Sequence, residues 1–360
     1  MQSIMRQAGY VICSLAAGLL IVMYPALAKD SRMEQDLDKA FAAGQLSGLH
    51  SVLVIHKGTV LAERHYAGDD QRWGTPLATI EHNKNSLHDL RSVTKSVTGL
   101  LYGIALSEGI VPGLDDGLIQ QFPEYADLAN DPQRIRIRVR HALSMKMGTE
   151  WNEDLPYSDP RNSEIAMERA KDRYRFVLDR PMVNKPGDWW TYNGGATALI
   201  GKLIAQGAGL PIDAYARNKL FAPLAIKEFE SVAGADGVPS AASGLRLSIH
   251  DLAKMGRLIL DNGVWQGKQV VPAEWLQVSF TPHAVLRDGL RYGFFWWLGP
   301  DGTPPYWVAG FGNGGQRLMV SPANRLIVVV FAGNYNQPDA WKLPVKIITK
   351  FALPAVSRSE

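Results

Sequence analysis

The spacing of hydrophobic and polar positions changes several times along the chain. Residues 32–46, "RMEQDLDKAFAAGQL", place apolar side chains four positions apart, which predicts an amphipathic helix. Residues 51–68, "SVLVIHKGTVLAERHYAG", predict two strands around a short turn at Lys57 and Gly58. A loop rich in Gly, Pro, Asn and Asp is expected to follow and to lead to a second, longer apolar run.

From about residue 92 to residue 260 the pattern predicts mainly helices, most clearly over 163–180 and 248–263. After about residue 289 it predicts strands again, over 291–299, 316–322 and 325–333, and a last helix over 341–353. The order is therefore helix, strands, a long helical block, strands and helix.

This order of elements predicts an α/β fold with two parts. One antiparallel sheet, built from both ends of the chain and sandwiched by helices, would comprise residues 29–105 and 245–360. An all-helical domain, residues 106–244, would be inserted between its strands.

The N-terminus adds an expectation about location. Residues 1–28 carry one cation, then an apolar stretch, then Ala-Leu-Ala, which is the pattern of a cleaved secretory signal peptide. We therefore expect a periplasmic or secreted protein with no stable membrane span after cleavage; an uncleaved N-terminal membrane anchor is the alternative. The one cysteine, Cys13, lies in this segment, so the mature chain would contain no thiol.

Composition limits the partners. The 360 residues are 46% hydrophobic and 20% charged, with a net charge of +3, which is too small to indicate nucleic-acid binding. The basic stretch "RIRIRVRH", residues 134–141, alternates Arg with Ile and Val and is interpreted as a half-buried segment with a solvated face. We expect a small-molecule substrate and no cofactor, and the oligomeric state stays open.

The second apolar run, "LRSVTKSVTGLLYG", contains the first candidate catalytic residues. Ser92 and Lys95 stand three apart at the expected start of a buried helix, and no other serine has a lysine three positions later. Burial and the helix dipole would lower the pKa of Lys95. A neutral lysine can take the proton of a serine hydroxyl and make it nucleophilic.

Two glycine-rich segments could complete such a site. "KPGDWWTYNGGATALIGKLI", residues 185–204, places Tyr192 in a loop before an apolar helix, where a phenol could serve as a second proton carrier. "AGFGNGGQRLMV", residues 309–320, lies beside a predicted strand, and an N–H group there could pair with that of Ser92 as an oxyanion hole.

These segments, in this order, resemble the serine β-lactamase and penicillin-binding protein superfamily, nearest to its class C-like branch of esterases and 6-aminohexanoate-dimer hydrolases. The likeness covers roughly residues 35–350. "SVTK" is similar to the family's Ser-x-x-Lys, and "PGDWWTY" to the segment with its tyrosine. The resemblance implies a covalent acyl-enzyme mechanism with Ser92, Lys95 and Tyr192 as the catalytic residues.

Two departures from the family pattern bear on the substrate. The family's Tyr-x-Asn would need Asn at Gly194, and Asn193 occupies the middle position. The Lys-Thr-Gly or His-x-Gly triad is best matched by residues 313–315, which would make Asn313 and Gly315 substrate-binding residues and the Gln316 N–H the oxyanion donor. A neutral Asn313 would remove the cation that receives the carboxylate of penicillins, which weakens the β-lactamase and carboxypeptidase interpretations.

A further segment, "WNEDLPYSDPRNSE", is similar to the loop over the active site of 6-aminohexanoate-dimer hydrolases. It makes Tyr157 and Asp159 candidate substrate-facing residues. We therefore expect an exported serine hydrolase that cleaves a small ester or a linear amide. A class C-type β-lactamase or D,D-carboxypeptidase, and a non-catalytic relative that binds peptidoglycan fragments, are the alternatives.

Two other enzyme classes are disfavoured. The chain has no G-x-S-x-G nucleophile elbow of the α/β-hydrolases. Its eight histidines are scattered without H-E-x-x-H, so no metal site is expected.

Overall fold

The computed structural model describes residues 31–286, 288–300 and 307–359. The predicted signal peptide, residues 1–28, with Cys13, lies outside them. The α-helices are α1 Ser31–Ala42, α2 Val93–Ser107, α3 Val139–Leu143, α4 Ser163–Arg169, α5 Arg173–Leu178, α6 Gly194–Ala208, α7 Ile212–Ala216, α8 Ile249–Leu260, α9 Ala273–Ser279, α10 Lys342–Ile347 and α11 Leu353–Ser359.

The strands are β1 Leu49–His56, β2 Thr59–His65, β3 Ala67–Arg72, β4 Thr75–Glu81, β5 His88–Asp89, β6 Glu230–Ser231, β7 Leu245–Leu247, β8 Val264–Trp265, β9 Lys268–Gln269, β10 Ala284–Val285, β11 Arg291–Tyr292, β12 Trp297–Leu298, β13 Val308–Gly312, β14 Gln316–Ser321 and β15 Leu326–Ala332. Shorter 3₁₀ turns lie at Ile119–Gln121, Pro123–Asn130 and Arg134–Arg136, and wider π turns at Arg217–Phe221 and Ile348–Ala352.

The main sheet is antiparallel and confirms the predicted fold class. Its strand order is β10-β11-β12-β13-β14-β15-β1-β2, so the first strand of the chain pairs with the last. Strand β15, "LIVVVFA", is buried on both faces because its side chains alternate between two cores. One core lies toward α2 and α8, and the other lies under the terminal helices.

Several predicted elements are confirmed. Helix α1 falls within residues 32–46 apart from its first residue, and α8 begins where Ser248 caps the Asp251 N–H. The turn between β1 and β2 is the expected one, since Lys57 and Gly58 both have positive φ, as tight hairpins require. The stretch 134–141 forms a 3₁₀ turn followed by the start of α3.

Three predicted elements differ. Residues 163–180 form two short helices, because Asp172 caps a new helix through the Arg175 N–H. Residues 291–299 form a hairpin, β11 and β12, around Phe295, which has a positive φ. The expected loop after β2 contains the hairpin β3–β4, whose polar strands turn at Trp73 and Gly74.

The nucleophile region is set by α2. This helix contacts α6, α9 and β13, and every residue from Val93 to Ala105 is buried. Its N-terminus meets the edge of β13 on one side and the segments around α4 and α6 on the other. The domain boundaries predicted above stay a prediction. Among the described residues no helix is long and apolar enough to cross a bilayer.

Candidate active site

Ser92 and Lys95 lie together at the start of α2. Ser92 occupies the N-cap position, and Lys95 Nζ donates a hydrogen bond of 3.0 Å to Ser92 Oγ. Lys95 is 1% exposed, and its ammonium also donates to the Ala242 carbonyl at 3.2 Å. The three-residue spacing therefore brings the two groups into contact in a buried place.

Tyr192 reaches the same place from the loop before α6. It makes a side-chain hydrogen bond with Ser92, and its ring centroid lies 5.0 Å from Lys95 Nζ. Burial raises the pKa of Tyr192 to about 12, and the nearby Lys95 charge only partly opposes that rise. The structure thus brings together Ser92, Lys95 and Tyr192, with the phenol protonated at neutral pH.

Lys95 differs from expectation in its charge. Burial opposes the ammonium, as expected, but the Glu164 carboxylate lies 3.0 Å from Nζ and the pKa of Lys95 is raised well above its usual value. Both side chains are almost fully buried, so little water screens the pair. The expected lowering of this pKa is wrong, because it took no account of a carboxylate contributed by α4.

Gly194 makes room for that carboxylate. A Cβ atom at Gly194 would lie 2.3 Å from Glu164 Oε2, so no side chain fits there while Glu164 holds its place. The family resemblance puts Asn at this position, beside the lysine. In this chain the Glu164 carboxylate fills that space. Lys95 therefore has a charged partner where the family has the neutral amide of asparagine.

A second buried carboxyl, Glu153, stands beside Glu164. One of its oxygens accepts from the Trp151 indole at 2.6 Å and from the Gly194 N–H, and the other accepts from the Tyr157 hydroxyl at 3.0 Å. Burial and then the Glu164 charge raise the pKa of Glu153 to about 8. Two adjacent buried carboxyls cannot both ionise at little cost, so Glu153 holds a proton while Glu164 pairs with Lys95.

Two clefts meet at Ser92. The wider one, about 680 Å³, is lined by Trp73 and Glu164, and the narrower one, about 260 Å³, by Tyr192 and Phe311. Ser92, Tyr157 and Asn313 line both. A third cavity of about 690 Å³, beside Trp189, is lined by none of the Ser–Lys–Tyr groups.

The edge of β13 faces Ser92 in the narrower cleft. The Gly299 N–H donates to the Trp307 carbonyl, so alternate residues of this strand direct their backbone groups toward β12. Because of this alternation, the N–H of Phe311 points to the β12 side of β13. Strand β12 pairs only with Val308 and Ala309, so it does not cover Phe311. Phe311 lines the cleft with Ser92, which makes its N–H the donor on this edge.

Gln316 does not reach this cleft. It is fully buried and pairs with Gly312 across the β13–β14 hairpin, so its backbone faces the neighbouring strand. Its side-chain amide donates to the Ala332 carbonyl and accepts from the Ala332 N–H. The expected oxyanion role of Gln316 is not supported, because residues 313–315 form the turn between β13 and β14 and Gln316 begins the second of these strands.

The other predicted residues divide into two groups. Gly315 lines the narrower cleft, and Asn313 and Tyr157 line both clefts. Asn193 is instead the N-cap of α6, where Oδ1 accepts from the Ala196 N–H. Asp159 pairs with Arg161 at 2.7 Å and lines neither cleft.

Sequence reasoning missed several residues of the site. Glu153 and Glu164 lie in the segment singled out above, and the vacant side-chain position at Gly194 was the signal that some other group must contact Lys95. Arg317 was also missed: it lines the narrower cleft, stacks on the Phe311 ring at 3.4 Å and has no carboxylate of the described residues within salt-bridge distance. Burial lowers the pKa of Arg317 to about 9.

Comparisons with known proteins identify relatives of this chain. The 6-aminohexanoate-dimer hydrolase of Paenarthrobacter ureafaciens is 25% identical over 315 residues, which are 80% of this chain and 73% of the relative. The solved structure of a putative 6-aminohexanoate-dimer hydrolase from Bacillus anthracis matches with a TM-score of 0.71 at 17% identity, over 88% of this chain and 81% of that one.

A second solved structure, the hydrolase EstCE1, described as having promiscuous acyltransferase activity, matches with a TM-score of 0.68 at 16% identity. The match covers 91% of this chain and 98% of that one. The model of the family described as Beta-lactamase matches residues 33–342, which is most of the sequence. The chain belongs to the Beta-lactamase family, within the superfamily of serine β-lactamases and penicillin-binding proteins.

Proposed function

We propose that the protein is a serine hydrolase that cleaves a small ester or a linear amide through an acyl-enzyme on Ser92. The contact of Ser92 with both Lys95 and Tyr192, at the junction of two clefts, carries this proposal. Each cleft could hold one side of the scissile bond, which suits an extended substrate. The predicted export of the chain stays part of the proposal.

The charges assign the proton roles. Lys95 is an ammonium at rest, so it cannot accept the Ser92 proton unless it gives up one of its own. Glu164, 3.0 Å from Nζ, is the acceptor within reach. As Ser92 Oγ bonds to the substrate carbonyl carbon, its proton passes to Lys95 while Lys95 passes one to Glu164, and the carbonyl electron pair moves to the oxygen.

Tyr192 then acts as the acid. Its phenol keeps its proton at neutral pH and hydrogen-bonds Ser92, so it is placed beside the bond that breaks. The leaving group takes the Tyr192 proton, and the phenolate is reprotonated through Lys95, whose Nζ lies near the ring. Water then attacks the acyl-enzyme, with the same groups acting in reverse order.

The negative oxygen of the tetrahedral intermediate is held by two backbone donors. The Ser92 N–H lies at the start of α2, and the Phe311 N–H lies on the free edge of β13. Two such donors are the usual requirement of acyl transfer in a site from which water is excluded.

The substrate class rests on the shape of the site and on the relatives. An aromatic wall of Tyr192, Trp297 and Phe311 lines the narrower cleft and favours an apolar acyl chain. The printed name of the Paenarthrobacter ureafaciens relative refers to a linear amide, the 6-aminohexanoate dimer. We extend that substrate class to this chain as part of the proposal.

One observation supports a second candidate function. β-Lactams and D,D-peptides carry a carboxylate, and the neutral Asn313 led us to expect no cation for it. Arg317 supplies a buried cation on the wall of the narrower cleft. A β-lactamase or D,D-carboxypeptidase activity is therefore the alternative.

The deciding experiment compares kcat/KM of the purified protein on a chromogenic short-chain ester, a chromogenic linear amide and a chromogenic cephalosporin. Turnover of the ester and the amide, without the cephalosporin, supports the proposal, and preference for the cephalosporin supports the second candidate. Ser92→Ala should abolish turnover, and Tyr192→Phe should lower kcat/KM by about 10²- to 10⁴-fold.

Two outcomes would contradict the proposal. Full activity of Ser92→Ala would exclude Ser92 as the nucleophile. Binding of peptidoglycan fragments without cleavage of any of these compounds would favour the non-catalytic relative. Asn193→Asp is a suitable control, because Asn193 caps α6 and an aspartate can still accept from the Ala196 N–H.

A further inference from the structure

Three of the eight histidines meet at one buried place away from the two clefts. His50 lies on β1, His88 on β5 and His82 directly after β4, and Asp70 on β3 completes the group. All four are buried, and ligand atoms of His50, Asp70 and His82 lie within 4.8 Å of one another. Four separate segments contribute them, so no sequence spacing indicated the group.

The distances suit a single small ion. His88 Nε2 lies 3.0 Å from His50 Nδ1 and 3.6 Å from Asp70 Oδ1. Two ligand atoms, each about 2.0 Å from a tetrahedral zinc ion, are about 3.3 Å apart. These two spacings lie on either side of that value. The rings of His50 and His82 are stacked, with centroids 4.2 Å apart, so one of these rings must turn for both to bind the same ion.

The hydrogen bonds leave lone pairs pointing inward. His88 Nδ1 is 3.1 Å from the Asp89 carbonyl, which can only accept, so the proton of neutral His88 is on Nδ1 and Nε2 carries a lone pair. His50 also hydrogen-bonds the Asp69 backbone, and with Nδ1 turned to His88 this bond belongs to Nε2–H. With these tautomers two ring lone pairs meet 3.0 Å apart with no proton between them. A zinc ion needs about 2.0 Å to each nitrogen, so it would bind both from one side of the line that joins them.

His82 and Asp70 point to the same conclusion. His82 Nε2 is buried and has no hydrogen-bond partner among the described residues. A buried polar atom without a partner costs about 1–3 kcal/mol, so such atoms are rare in folded proteins. Asp70 is oriented by the Tyr335 hydroxyl, which donates to Oδ1 at 2.9 Å, as carboxylates that bind metals usually are.

We propose that His50, His82, His88 and Asp70 bind one divalent transition-metal ion, with zinc as the best match. Three imidazole nitrogens and one carboxylate oxygen are ligands that zinc accepts in tetrahedral sites. None of the four lines a cleft that holds Ser92, so the ion has a structural role. It joins the β3–β4 hairpin and β5 to β1.

This placement links the ion to the substrate cleft. Gln71 and Trp73 of the hairpin form part of the wall of the wider cleft, and β5 ends three residues before Ser92. The ion would therefore hold both that wall and the approach to the nucleophile against the main sheet.

The test measures zinc itself and does not depend on hydrolysis. The purified chain is stripped with a chelator and titrated with zinc chloride, following binding by calorimetry and the melting temperature by circular dichroism. We expect about one zinc per chain and a higher Tm with zinc, since a ligand that binds only the folded state stabilises it. His82→Ala and Asp70→Asn should each weaken binding at least about tenfold.

His250→Gln is the matched control, because His250 is partly exposed and pairs with Glu63 outside the group. It should bind zinc as the wild type does. Absence of binding and of a Tm shift in the wild type would overturn the proposal, as would equal binding by His82→Ala. Should His82→Ala fail to fold, Co²⁺ decides the question in the wild type: a tetrahedral visible spectrum supports the site, and its absence overturns it.

Discussion

The active-site cluster and the histidine group are two buried polar regions built in opposite ways. Around Lys95, each charge meets its opposite: the ammonium contacts Glu164, Ser92 and the Ala242 carbonyl. In the histidine group, lone pairs face each other and His82 Nε2 has no partner among the described residues. The first region is complete without a bound group, and the second is completed by a cation.

The difference separates two uses of buried polar residues. A cluster that satisfies its own charges is held in place before the substrate arrives, as catalysis requires. A cluster that lacks one positive charge is stabilised when a ligand supplies it. The number of unsatisfied atoms, more than the residue types, distinguishes a catalytic arrangement from a binding one in this protein.

The largest expected effect follows from removing the partner of Lys95. Glu164→Ala leaves a buried ammonium unpaired and should lower the free energy of unfolding by about 3–5 kcal/mol, measured by urea denaturation at pH 7. His82→Ala in the metal-free protein removes a side chain whose Nε2 has no partner and should cost about 1 kcal/mol. Equal losses of unfolding free energy in the two variants would contradict the distinction between the active-site cluster and the histidine group.

A smaller effect is expected at Gly194. Gly194→Asn restores the family's residue but collides with the Glu164 carboxylate, and should cost about 1–3 kcal/mol. In the double variant with Glu164→Ala the losses should be less than additive, with a coupling energy of about 0.5–3 kcal/mol. Gly209→Asn is the control, since it has open space and a left-handed backbone that Asn tolerates. Strictly additive losses of stability would contradict the interpretation that the Glu164 carboxylate occupies the space of the family's asparagine side chain.

The last comparison concerns pH and Glu153. Its pKa is about 8 in the folded chain and 4.5 when unfolded, so the folded state binds more protons between those values. Its contribution to stability is therefore full below pH 4.5 and is lost as the pH rises to 8. Tm measured from pH 5 to 8 should fall more steeply in the wild type than in Glu153→Gln. Parallel curves would show that Glu153 ionises normally.

Much of the fold and part of the site could be predicted from the sequence because the signals are local. Ser92 and Lys95 are three residues apart on one helix, and the apolar run of β15 marks a strand buried on both faces. The polarity of β3 and β4 hid a hairpin, because period-two patterns weaken where both faces meet water.

The residues that could not be predicted depend on contacts between distant segments. Glu164 determines the charge of Lys95 from another helix, and the pKa of Lys95 rises instead of falling. Gln316 was misplaced because residues 313–315, matched to a strand by the resemblance, form the turn between β13 and β14. The four residues of the histidine group come from four segments, and only the folded chain brings them together.

The pairing of β1 with β15 also governs how the molecule is assembled. Leu49 is opposite Ala332, so strand β1 has no partner on that side until almost the whole chain has been synthesised. Such long-range pairing makes folding slow, because a large loop must close before the contacts form. A nascent chain that lacks β15 therefore lacks the strand that joins β1 and β2 to the rest of the main sheet, so the complete sheet forms only when synthesis is nearly finished.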